Sequence, residues 1–328
     1  MSRRRTATTS RIALALIAAA IATATPAAAQ TVQIFDVPSG AKPHDVSPGA
    51  GGMVWYTAQG QGALGILDPK TGKVEQVSLG EGSAPHGVIM GPDGAAWITD
   101  SGLNAIVRWD PVTRTRKNWV LPADTGYANL NTAAFDADGV LWFTGQSGFY
   151  GKVDPKADSI SVWPSPKGRG PYGIDATPDG EVYYVSLAGS HLAKIDRATG
   201  EAKMIEHPAA GQGARRVWSD SKGILWVSEW NTGHLARYTP ATGEWARWKL
   251  PGEKPRAYAV YVDESDMVWV SDWGANATLA FDPKSETFTA SIPGSKPGAN
   301  VRQIIGRKGE VWLPESAHDR LMLVRTDR

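Results

Sequence analysis

A repeat of 41 to 45 residues constrains the fold of this 328-residue chain more than any other feature. Each copy has a short apolar run, a turn that contains Gly or Asp, and a second apolar run that begins near an aromatic residue. The aromatic position is filled in turn by Trp55, Trp97, Trp142, Tyr183, Trp226, Trp269 and Trp312. A period of about 40–45 residues is typical of a β-propeller blade, a small sheet of four strands. The seven copies therefore predict an all-β, seven-bladed β-propeller of four-stranded blades.

The two ends of the chain predict how the ring closes. In the second copy, strands a to d, lettered from the ring centre outward, are predicted at 88–90, 96–99, 105–109 and 117–121. The turns that join strand a to strand b and strand c to strand d carry Pro, Asp and Gly at positions that hairpins favour. The last copy stops after its strand c, whereas a surplus strand at 32–37 precedes the first copy. We therefore predict that the N-terminal strand completes the last blade, because closing the ring removes exposed sheet edges.

Residues 1–29 have the pattern of a secretory signal peptide. Three arginines, Arg3 to Arg5, precede an apolar run at 12–21, and Ala27-Ala28-Ala29 follows it. This run is shorter than a membrane span, and the small residues are typical of a cleavage site. We expect cleavage before Gln30, a periplasmic or secreted location, no membrane span in the mature chain, and a propeller formed by residues 30–328.

Composition narrows the classes of partner. The formal net charge is +1, and no basic stripe is available to neutralise phosphates, so we expect no nucleic-acid partner. Cysteine is absent, which excludes disulfides and thiolate metal sites. We expect a monomer that binds a small-molecule or anionic ligand.

Polar residues recur where strand a begins, and we expect them to form a ligand site. Because strands alternate in direction, the d–a links and b–c loops share one face, here called the top face. About eleven residues before each aromatic position, at the channel opening on this face, the sequence has His44, His86, Asn131, Tyr172, Arg215, either Arg256 or Tyr258, and Arg302. Just after strand b stand Glu229, Asp272 and Glu315. Such a polar ring is typical of a ligand site, although arginine–carboxylate pairs could instead join neighbouring blades.

Several segments resemble the repeats of the virginiamycin B lyase (streptogramin lyase) family. They are Pro85-His86-Gly87-Val88, Pro171-Tyr172-Gly173-Ile174, Trp142-Phe143-Thr144 and residues 269–276. Members of known activity open cyclic depsipeptide antibiotics at an ester by elimination. The resemblance implies Mg²⁺ as a Lewis acid held by two glutamates, with a histidine base in the last blade.

This chain departs from the family pattern at the implied site. Glu315 corresponds to one metal-binding glutamate. The family's Glu-Pro-His segment is replaced by Asn300-Val301-Arg302, and Arg256 replaces a second histidine that contacts substrate. An arginine stays protonated and cannot act as an ordinary general base.

Three hypotheses of function arise from the sequence. The first is an exported lyase-like enzyme that opens an ester or lactone with a rearranged catalytic site of Arg302, Glu315 and His86, Glu315 also binding metal. The second is a non-catalytic propeller that binds an anionic ligand or a protein partner on its top face, through arginines that suit bidentate contacts. A third, metal-dependent lactone hydrolysis, lacks an evident cluster of carboxylates and asparagines.

Overall fold

The computed structural model describes residues 31–326, and the predicted signal peptide lies outside them. These residues form seven antiparallel sheets of four strands each. The innermost strands of successive blades pack side by side around a central channel. The predicted seven-bladed β-propeller is therefore confirmed. None of the described residues belongs to a helix with the length and hydrophobicity that a membrane span needs.

The strands are named β1 to β28 in chain order and a to d from the channel outward. Strand a is β2 (Pro43–Pro48), β6 (Pro85–Met90), β10 (Leu130–Phe135), β14 (Pro171–Ala176), β18 (Ala214–Ser219), β22 (Ala257–Val262) or β26 (Ile305–Arg307). Strand b is β3 (Val54–Ala58), β7 (Ala96–Asp100), β11 (Leu141–Gly145), β15 (Val182–Ser186), β19 (Leu225–Glu229), β23 (Val268–Asp272) or β27 (Glu310–Glu315).

The outer strands complete each blade. Strand c is β4 (Ala63–Leu67), β8 (Ala105–Trp109), β12 (Phe149–Asp154), β16 (His191–Ile195), β20 (His234–Thr239), β24 (Ala277–Asp282) or β28 (Arg320–Arg325). Strand d is β5 (Val74–Ser78), β9 (Arg116–Val120), β13 (Ser159–Pro164), β17 (Ala202–Ile205), β21 (Glu244–Lys249), β25 (Thr287–Pro293) or β1 (Val32–Asp36). Short 3₁₀ turns occupy Ala50–Gly52, Gln59–Gln61 and Ala123–Thr125.

The repeated aromatic residue is a core side chain tied to its own hairpin. Trp142 is fully buried, and its indole N–H donates to Asp136 Oδ2 at 2.9 Å. The other oxygen of Asp136 accepts two backbone N–H groups of the a–b turn. Trp269 and Asp263 repeat this arrangement at 2.8 Å. The Asp-rich turn and the Trp therefore recur together in the sequence because they form one hydrogen-bonded unit.

Glycine recurs after the start of strand a because neighbouring inner strands approach closely there. A Cβ atom at Gly173 would lie 2.6 Å from the Cα of Arg216 in the next blade. At Gly87 it would lie 2.7 Å from the backbone oxygen of Asn131. Any larger residue at these positions would push the inner strands apart.

Strand β1 closes the ring as predicted. It pairs with β28 in antiparallel register, with Val32 opposite Val324 and Phe35 opposite Leu321. Phe35 is buried and packs on Trp312, with ring centres 5.5 Å apart. The last blade therefore takes its fourth strand from the beginning of the chain.

Replacing Phe35 with Ala should lower the free energy of unfolding by about 3 kcal/mol, because a buried aromatic side chain leaves this seam. Its neighbour Ile34 is 40% exposed, so Ile34→Ala should change stability by only about 0.5 kcal/mol. Denaturant unfolding of both variants measures the two values. Equal losses, or no loss at Phe35, would mean that β1 does not hold the last blade.

Candidate functional site

Seven side chains, one from each blade, follow one another around the top end of the channel, here called the channel mouth. They are His44, His86, Asn131, Tyr172, Arg215, Tyr258 and Arg302. Six of them are the residues predicted for this position. In blade six the structure places Tyr258 in the ring, in contact with Tyr172. The other candidate of that blade, Arg256, is exposed at the rim, with its guanidinium carbon 5.4 Å from the Trp230 ring.

One side of the channel mouth consists of neutral imidazoles. The rings of His44 and His86 are 3.7 Å apart between centres. Both nitrogens of His86 lie 3.1 Å from Asn131, one from its backbone oxygen and one from its side-chain amide nitrogen. Burial, reinforced by Arg302, Arg216 and Arg215, lowers the pKa of His44 well below its ordinary value. Burial, with the neighbouring His44, likewise lowers the pKa of His86.

The other side is a chain of arginines and tyrosines. Arg215 donates to the Tyr172 hydroxyl at 2.8 Å, and the Tyr172 and Tyr258 hydroxyls are 3.0 Å apart. Arg302 donates to the Tyr258 hydroxyl at 3.2 Å and to Ser316 Oγ at 3.1 Å. Both guanidinium groups are thus held in fixed positions on either side of the tyrosine pair.

Aromatic rings pack under and beside these guanidinium groups. The guanidinium carbon of Arg215 lies 3.9 Å from the centre of the Tyr258 ring and 4.5 Å from that of Trp230. Arg302 lies 5.0 Å from the centre of Trp273, which stacks on Tyr258 at 4.7 Å. Such cation–π contacts orient a guanidinium but leave its charge unneutralised.

The charges at the channel mouth are unbalanced. Arg216, one layer below, is buried and donates to Asp45 at 3.2 Å, so this carboxylate balances Arg216. Among the ion pairs formed by residues 31–326, none includes Arg215 or Arg302. Burial alone raises the pKa of Tyr258, but the three arginines outweigh burial and lower that pKa to about 8. Tyr258 therefore lies in a region of excess positive charge.

The carboxylates predicted just after strand b do not join the channel mouth. Asp272 Oδ1 accepts the backbone N–H groups of Arg256 at 2.7 Å and Gly274 at 2.8 Å. Glu315 is fully buried and accepts both the backbone N–H and the hydroxyl of Ser295. Each carboxylate thus binds the link that leads into strand a of its own blade. Their contacts are with the backbone and with loop side chains.

Glu229 is held in the same way, with an ion pair added. Arg247 donates to both of its oxygens, at 2.8 and 2.5 Å, and Thr232 donates to it as well. His207 Nε2 lies 3.1 Å away. Burial alone raises the pKa of Glu229, but the hydrogen bonds from Arg247, His207 and Thr232 outweigh burial and lower it to about 2.

The residues near Glu315 do not fit a magnesium ion. The ion requires several oxygen ligands in a nearly octahedral arrangement. Glu315 is already bonded to Ser295, Asn300 supplies no carboxylate, and the guanidinium of Arg302 bonds Ser316 in the adjoining loop.

A second group, His44, Asp45 and His86, has ligand-type atoms within 4.8 Å of one another. His44 Nδ1 donates to Asp45 Oδ1 at 2.8 Å, and Arg216 donates to the same oxygen. The nearby guanidinium groups oppose a cation, and both nitrogens of His86 are within hydrogen-bonding distance of Asn131. The group is therefore a hydrogen-bonded cluster rather than a cation site.

Two tryptophans of the site are not among the predicted residues. Trp230 and Trp273 are half-buried, meet edge to face at 5.5 Å, and contact the ring through Arg215, Arg302 and Tyr258. Each directly follows a carboxylate that ends strand b. That repeated acid–Trp pair is a sequence signal for both of them.

The fold and sequence place the chain in a known family. The model of the virginiamycin B lyase family matches residues 15–242, which is more than half of the chain. The chain belongs to the virginiamycin B lyase family. No curated protein matches the sequence.

Solved structures of this family share the fold at low sequence identity. A streptogramin B lyase structure is 19% identical with a TM-score of 0.82, covering 90% of this chain and 97% of that one. Virginiamycin B lyase from Staphylococcus aureus is 18% identical with a TM-score of 0.83, covering 91% and 100%. A catalytically inactive variant of that enzyme with quinupristin is 19% identical with a TM-score of 0.82, covering 91% and 100%.

Replacing Glu229 with Gln should lower the free energy of unfolding by about 3 kcal/mol near neutral pH. A depressed pKa stabilises the fold above the unfolded value, and that stabilisation is lost as pH falls toward about 2. The difference between wild type and variant should therefore shrink below about pH 4.5. Denaturant unfolding across this range measures it, with exposed Glu244→Gln as control. A difference independent of pH would contradict the assignment.

Proposed function

We propose that the channel mouth binds a small molecule carrying an oxyanion, such as a carboxylate or phosphate, on a flat apolar body. The observation that carries this proposal is the pair Arg215 and Arg302, two half-buried guanidinium groups that form no ion pair within residues 31–326. Unpaired buried charge is costly, and an anion between two guanidinium groups removes that cost.

Both arginines retain donors for a ligand. Arg215 uses one terminal nitrogen for Tyr172, and Arg302 uses Nε and one terminal nitrogen for Ser316 and Tyr258. The second terminal nitrogen of each remains available. Because the aromatic rings and hydroxyls already fix both side chains, binding costs little conformational entropy. A charge-assisted hydrogen bond contributes about 1.5–3 kcal/mol.

The tryptophans favour a ligand with a flat apolar part. Trp230 and Trp273 stand beside the guanidinium groups in the b–c loops of blades five and six, and each is half-buried. Aromatic faces of this kind stack on rings of a ligand. Benzoate and phenyl phosphate are therefore suitable probes, and neutral benzamide is the matched control.

We infer that binding takes place outside the cytoplasm. The support is the arginine-rich start, the short apolar run and the Ala27-Ala28-Ala29 segment. N-terminal sequencing of exported protein tests this inference, and an intact leader would contradict it.

Replacing Arg302 with Ala should weaken benzoate binding roughly ten- to a hundredfold with little change in melting temperature, because one charge-assisted contact is lost. Calorimetric titration and thermal melting, run side by side, measure both. Arg237→Ala, which removes a guanidinium paired with Glu286 away from the ring, should leave affinity unchanged. Lower melting with unchanged affinity would make Arg302 a purely structural residue.

The same titration has a pH signature. Tyr258, with its pKa lowered to about 8, becomes negatively charged as pH rises through that value and then competes with the anion for the arginines. Benzoate affinity should fall above about pH 8 in wild type and fall less in Tyr258→Phe. An identical decline in both proteins would exclude this competition.

The second candidate is ring opening of a cyclic depsipeptide by elimination, and membership of the lyase family favours it. At the positions available here, Arg302 cannot accept a proton, Glu315 is already bonded, and His86 is a weak base because burial lowers its pKa. We therefore expect quinupristin to remain intact when incubated with the protein and with Mg²⁺, followed by mass spectrometry. A linear product that disappears in His86→Ala would establish the lyase instead.

A further inference from the structure

The channel continues below the mouth as a separate cavity. The Arg216–Asp45 pair spans the channel beneath the ring of seven side chains. On its lower side lies a cavity of about 200 Å³, lined by strand a residues from six blades. This volume accommodates a small organic molecule.

Most of the cavity wall is apolar. Ile89, Phe135, Ile174, Trp218 and Ile305 line it from five different blades. Trp218 is fixed by an edge-to-face contact with Tyr261, with ring centres 5.0 Å apart. A wall of this kind favours the hydrocarbon part of a ligand over bulk water.

One buried acceptor in the wall has no donor. Gln303 is 3% exposed, and its amide nitrogen donates to the backbone oxygens of Val260 at 3.2 Å and Ile304 at 3.1 Å. Its side-chain oxygen has no hydrogen-bond partner among the described residues. A buried acceptor left without a donor is unfavourable, and a ligand donor would satisfy it.

A carboxyl group also lines the cavity. Asp175 Oδ2 accepts the backbone N–H of Ser219 at 2.6 Å, and Asp175 forms no ion pair within residues 31–326. Burial raises its pKa to about 7. Since Asp45 balances Arg216, Asp175 is the unmatched ionisable group of this cavity.

We propose that the lower channel is a second binding site, for a small protonated amine with an apolar body. The ammonium group donates to the Asp175 carboxylate, while the body packs against Trp218 and Phe135. The site selects the charge opposite to that selected by the channel mouth. An anion would be repelled by the Asp175 carboxylate, and a neutral alcohol could donate a hydrogen bond to it but would lack the attraction between opposite charges.

Calorimetric titration of the purified protein with 2-phenylethylamine and with 2-phenylethanol tests this proposal. The amine should bind, and the alcohol should bind at least about tenfold more weakly. The substitution Asp175→Asn should lower the affinity for the amine by a similar factor. Arg302→Ala should leave amine binding unchanged, because Arg302 belongs to the channel mouth. Equal affinity for amine and alcohol, no amine binding, or a loss in Arg302→Ala but not in Asp175→Asn would each overturn the proposal.

Two further measurements keep the test decisive if Asp175→Asn does not fold. Ala134→Leu adds bulk to the cavity wall and should abolish amine binding while benzoate binding persists. Amine affinity in wild type should rise as pH increases through about 7, because Asp175 ionises there. The other charged groups of the cavity, Asp45 on β2 and Arg216 on β18, remain paired with each other. Affinity that does not change with pH, or that survives Ala134→Leu, would contradict the site.

Discussion

The pairing of β1 with β28 is the interaction on which the rest of the structure depends. It completes the last blade and brings that blade against the first, where Asp45 and Gln303 form a bridge between neighbouring inner strands. Only in the closed ring does Arg302 approach His44 closely enough to lower the pKa of His44. Residues more than 250 positions apart in sequence thus share one channel, and its chemistry depends on the two chain ends meeting.

Within that ring, the Arg216–Asp45 pair divides the channel into two compartments of opposite character. Above it, Arg215 and Arg302 present positive charge that no carboxylate of the described chain balances. Below it, Asp175 and the unpartnered oxygen of Gln303 line an apolar cavity. The scaffold is that of the virginiamycin B lyase family, and we propose that the charges placed on it bind an anion.

The fold was predictable from sequence because a hydrogen-bonded unit of turn acid and tryptophan recurs in blades two, three, five and six, as in Asp136 and Trp142. Residues of the channel mouth were also predictable, because a nearly fixed spacing from the repeated aromatic residue places them at the start of strand a. The exception is blade six, where a longer turn left Arg256 and Tyr258 as alternatives. Sequence could not tell that Asp272 and Glu315 accept hydrogen bonds from backbone groups, because a loop carboxylate looks the same whatever group it binds. Nor could it pair Arg216 with Asp45, which meet only across the closed channel.

We propose that Arg215 and Arg302 together hold an anion at the channel mouth, and a crystal structure with 4-bromobenzoate tests this most directly. We expect an anomalous bromine signal above Trp230 and Trp273, with the carboxylate within hydrogen-bonding distance of both guanidinium groups. Arg215 and Arg302 should keep their contacts with the tyrosine hydroxyls. A channel mouth holding only water at saturating ligand, with bromine bound elsewhere, would contradict an anion site formed by these two arginines.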